Sequence, residues 1–70
     1  METVRIWPQD DGQPVACQEK LRVLEENWQE LSEVLTDAFD DAILMGVNEQ
    51  AMRERLVALV HSLRSPKADA

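Results

Sequence analysis

The sequence predicts an all-α protein: an antiparallel helical hairpin that dimerises into a four-helix bundle and carries an extended N-terminal arm. Three observations predict it. Residues 15–45 contain neither Gly nor Pro and are rich in Leu, Glu, Gln, Lys, Arg and Ala, which are strong helix formers. Apolar residues in that run recur at alternating steps of four and three. A Gly-Val-Asn turn at residues 46–48 then separates it from a second run with the same rhythm.

Each element follows in order. Val4 and Ile6 alternate with Arg5 and Trp7 until Pro8 intervenes, so residues 1–13 read as an extended arm. Residues 9–14, QDDGQP, gather turn formers, and Pro14 suits the opening turn of a helix because its missing N–H would have no helical partner there. The long helix is therefore expected over about residues 14–45, roughly 45 Å at 1.5 Å per residue. Its seam is Cys17, Leu21, Leu24, Trp28, Leu31, Leu35, Ala38, Ala42 and Met45, with Val34, Phe39 and Ile43 beside the C-terminal half.

Gly46 can take the left-handed conformation that ends a helix, and Asn48 is a good N-cap for the next. Val47 and Met52 have the spacing of a hydrophobic staple. The short helix is expected over about residues 49–64, with Met52, Leu56, Leu59 and Leu63 as its seam, and residues 65–70 as a disordered tail after Pro66. Folding back antiparallel pairs Ala42 with Met52, Ala38 with Leu56, Leu35 with Leu59 and Leu31 with Leu63, alternating small and large residues as interdigitating layers prefer.

That pairing leaves the first half of the long helix without a partner. Burying each Leu or Trp there is worth about 1.5–3 kcal/mol, and a chain of 70 residues has little core to spare. A second copy supplies the cover, so Cys17, Leu21, Leu24, Trp28 and Leu31 are the expected homodimer interface. The rival is the arm folding over the same surface. Trp7, an apolar ring on that arm, either docks on its own bundle or is presented to a partner.

Fourteen acidic against seven basic residues give a formal charge of −7, which repels nucleic acid and anionic membranes and favours a basic protein partner. Glu26, Glu30, Glu33, Asp37, Asp40 and Asp41 recur at helical spacing as a carboxylate stripe away from the seam. Trp7, Glu26, Glu30, Glu33, Asp37 and Asp40 are accordingly the candidate docking residues, beside the plainer reading of a solvated helix face. Asp40 and Asp41 lie where the helix dipole disfavours negative charge, and Arg53 and Arg55 are expected to offset them.

Two resemblances suggest other functions. Ala42, Gly46, Val47 and Met52 occupy positions that resemble a helix-turn-helix motif, implying a DNA-binding regulator using residues 42–56. Against it, Arg55 stands where that motif wants an apolar residue, the preceding helix is too long, and the exposed set Glu49, Gln50, Arg53 and Glu54 is not basic. The group TDAFDD resembles the aspartate-rich motifs of prenyl-transferring enzymes, but 70 residues cannot enclose their cavity.

A carboxylate metal site or a thiol-redox role for Cys17 is a further alternative. A di-iron site would need Glu-x-x-His, and the one histidine, His61, follows Ala58 at that spacing. With no nucleophile-base pair or phosphate-binding loop, a non-catalytic protein without cofactor is expected. A lone cysteine and the lack of a leader-like or membrane-spanning segment fit a soluble, cytoplasmic chain. The function expected is that of a small acidic homodimeric interaction protein: a regulator, adaptor or accessory subunit.

Overall fold

A computed structural model describes residues 5–67 of the chain. Residues 1–4 of the expected arm, Val4 among them, and residues 68–70 of the expected tail lie outside the described residues. Two helices make up the fold, α1 (Gln18–Leu44) and α2 (Glu49–His61), and no strand occurs among the described residues. The chain divides into two compact units, Met1–Glu33 and Val34–Ala70, with the helical hairpin formed in the second.

α1 starts four residues later than Pro14 would allow, because the preceding backbone is already engaged. The Gln9 N–H donates to the Gln13 carbonyl at 2.8 Å, Gly12 N–H to the Gln9 carbonyl at 2.9 Å, and Val15 N–H to the Trp7 carbonyl at 2.8 Å. Pro8 and Pro14 face each other as an isolated antiparallel bridge. This is a three-residue reverse turn closed by a left-handed glycine, Gly12 at φ +87°. The Asp11 Oδ1 accepts from the Gln13 N–H at 2.9 Å and braces it. The segment expected as a plain extended arm thus doubles back before the helix begins.

The turn between the helices follows the sequence reading. Gly46 has φ +101°, and the Val47 N–H reaches the Ala42 carbonyl at 2.9 Å while Gly46 N–H reaches the Ile43 carbonyl at 3.0 Å. These two bonds are the Schellman closure of α1. Asn48, extended at φ −61° and ψ 134°, caps α2 by accepting the Ala51 N–H on its side chain. α2 ends at His61 rather than near residue 64, because Ser62 closes it: its N–H donates to the Ala58 and Leu59 carbonyls and its hydroxyl to Leu59.

Packing in the C-terminal unit departs in part from the expected register. Ala42 is the single buried residue among those described, and Met52 and Leu56 are half-buried. Ala38 is exposed, whereas Phe39 and Ile43 are half-buried. Leu35, Thr36, Phe39, Arg53, Leu56 and Val57 line one open groove. Ala42 and Met52 are thus covered as the expected pairing requires, and beside them the covered apolar surface is that of Phe39 and Ile43 rather than Ala38. One edge of the seam is left open: Val34 is 67% exposed and Met45 78%. Leu59, expected to close on Leu35, is 59% exposed.

Candidate interaction surfaces

In the N-terminal unit the doubled-back arm lies on the first half of α1. Glu25 receives both arm donors: the Arg5 guanidinium at 2.7 Å on one carboxylate oxygen and the Trp7 indole N–H at 2.8 Å on the other. The Trp7 and Trp28 rings meet edge to face with centroids 5.9 Å apart and planes at 76°, the arrangement favoured by aromatic quadrupoles. Arg5 also stands over Trp28, 5.5 Å from its centroid. Chiefly the Arg5 bond, and then the Trp7 bond, hold the Glu25 carboxyl below the ordinary carboxylate range. Glu25 carried no functional expectation; its signal was its position three residues before Trp28, one turn away on the same side of the helix.

The five residues expected at a dimer interface separate by exposure. Leu21 and Leu24 are half-buried, while Trp28, Leu31 and Cys17 remain exposed. Trp7, a candidate for partner docking, is half-buried against Trp28 and Glu25. Cys17 immediately precedes α1, and the backbone N–H groups of Lys20 and then Glu19 lower the pKa of its thiol. A helix N-terminus stabilises negative charge there.

Along the acidic stripe, Glu26 is bound by Arg22, which also reaches Glu19. Glu33 accepts from the Gln29 amide at 2.9 Å. The carboxylates of Glu30, Asp37, Asp40 and Asp41 make no hydrogen bond or ion pair among the described residues. Arg53 does not turn to Asp40 or Asp41 as expected. It pairs with Glu49 at 3.1 Å and lies over the Phe39 ring, 4.9 Å from the centroid, because Glu49 is one turn away on its own helix. Arg55 is exposed without an ion pair among the described residues and lines a shallow apolar depression with Met52, Ala58 and Leu59. His61 sits exposed in the last turn of α2.

No group of three or more His, Cys, Asp or Glu residues is placed to hold a metal ion among the described residues, and no described helix is long and apolar enough to cross a membrane. Compared with known proteins, the chain matches no family model, no curated protein and no solved structure.

Proposed function

We propose that this chain is a small acidic helical interaction protein, non-catalytic, which works as a homodimer and binds a basic macromolecule through its carboxylate stripe. The missing core carries the reading. Ala42 is the single buried residue among those described, while Trp28, Leu31, Val34, Leu44, Met45 and Leu63 stand exposed. Apolar surface on that scale is what an obligate homodimer interface covers. An exposed lone thiol at Cys17 supports a reducing, cytoplasmic setting.

The stripe supplies the outward chemistry. Glu30, Asp37 and Asp40 keep their carboxylates unpaired among the described residues, and the formal charge of −7 attracts a basic surface at long range. Sedimentation equilibrium at micromolar concentration tests the first half: a dimer is expected, and a folded monomer overturns the reading. For the second half, Glu30→Lys with Asp37→Lys should abolish salt-sensitive capture of a basic protein from native extract. Unchanged capture by that variant would remove the stripe from the function.

A further inference from the structure

The homodimer reading leaves open which surface a second copy covers. We infer that the second copy docks on the open edge of the hairpin: Val34, Ala38 and Met45 on α1 with Leu59 on α2. The arm already occupies part of the expected interface on the first half of α1, since Arg5 and Trp7 engage Glu25 and Trp28. Among the described residues no segment does the same for the C-terminal unit. The row Val34, Ala38, Met45, spaced by four and then seven, runs along one face of α1 and is exposed throughout.

The occupant must be permanent. A unit in which, among the described residues, Ala42 alone is buried and Phe39, Ile43, Met52 and Leu56 are half-buried has too little core to stay folded while awaiting a transient partner, and another copy of the same chain is present whenever the chain is. The charges agree. Asp41 borders the row on the helix surface, between Ala38 and Met45, and Arg55 borders Leu59 on α2; both lack ion pairs among the described residues. An isologous dimer can set the acidic border of one α1 against Arg55 of the other copy, because each patch meets its complement twice.

Two substitutions on the full chain separate the faces. Val34→Glu should raise the dimer dissociation constant about 100-fold or more, because each dimer would bury two unpaired carboxylates. Val60→Glu, one turn beyond Val57 of the Phe39 groove and 59% exposed against 67% for Val34, should leave it within about threefold. Glu is a better helix former than Val, so neither change weakens the helices locally.

Should Val34→Glu fail to fold, spin labels in a Cys17→Ser background decide instead. A label at Met45→Cys, in the exposed row itself, should show strong intermolecular dipolar broadening, and one at Val60→Cys little. A dimer that survives Val34→Glu but not Val60→Glu, or broadening confined to position 60, overturns this face while leaving the homodimer intact. A folded wild-type monomer overturns both.

Discussion

Replacing Gly46 by alanine isolates the backbone term in the hairpin. At φ +101° the residue lies in the left-handed region, and a Cβ built there meets no heavy atom within 4 Å. Steric crowding by neighbours therefore contributes nothing, and the cost is that of holding an L side chain at positive φ, about 1–2 kcal/mol. Alanine also restricts the unfolded chain, which returns about 0.4–1 kcal/mol. The net destabilisation expected is about 1 kcal/mol, or about 4–8 °C in melting temperature for a domain of this size.

Far-UV circular dichroism melts at one fixed protomer concentration would read this change, since self-association makes the midpoint concentration-dependent. Gly46→Asn should lose less than Gly46→Ala, because asparagine tolerates the left-handed region. If Gly46→Ala melts with the wild type, or Gly46→Asn melts below Gly46→Ala, the Schellman turn does not set the stability of the hairpin.

Three further outcomes are expected. Asn48→Ala should cost about 1 kcal/mol by orphaning the Ala51 N–H, with Asn48→Asp close to wild type in the same melts; equal losses for both would remove the cap from the account. Because the Glu25 carboxyl is held low by Arg5 and then Trp7, the arm contact should be fully present above the ordinary carboxylate range. It should be lost only as pH falls through the lowered value; following the Trp7 indole N–H by NMR during an acid titration checks this, and a midpoint at the ordinary value contradicts it. The Cys17 thiol, lowered by the N–H groups of Lys20 and Glu19, should alkylate with iodoacetamide at lower pH than in the urea-unfolded chain, and coincident profiles would refute it.

The parts of the fold legible in the sequence are those fixed by local chemistry. Gly46, Val47 and Asn48 specify their turn through one left-handed residue, one cap and the bonds of adjacent peptides, and all of that is written within a few positions. The start of α1 was not legible in the same way. Pro14 favours a helix opening, but the Asp-Gly pair at residues 11 and 12 also favours a reverse turn, and the outcome rested on whether Trp7 and Val15 would share a hydrogen bond. Two prolines flanking the turn remove ladder donors and mask the usual hairpin pattern.

Which residues beside Ala42 would be covered depended on three-dimensional packing. Heptad spacing marks Ala38 and Ala42 as seam positions, and Ala42 is buried, yet spacing carries no weight for area, and Phe39 and Ile43 are covered where Ala38 is not. Among candidate site residues, Trp7 was visible as an apolar ring seeking a surface, and Trp28 as a seam residue of the expected dimer interface. Glu25 was not, because its role comes from two donors, 18 and 20 residues away, that only the doubled-back arm brings to it.

The edge-to-face tryptophan pair has a consequence for how this molecule can be observed. Trp7 and Trp28 are its only tryptophans, there is no tyrosine, and both rings belong to the N-terminal unit. Intrinsic fluorescence is thus a local signal, sensitive to lifting of the arm and blind to fraying of α2. A fluorescence transition that runs ahead of the dichroism melt would register the arm leaving its helix while the hairpin remains closed. Placing a third tryptophan at Phe39 would give the other unit an optical voice of its own.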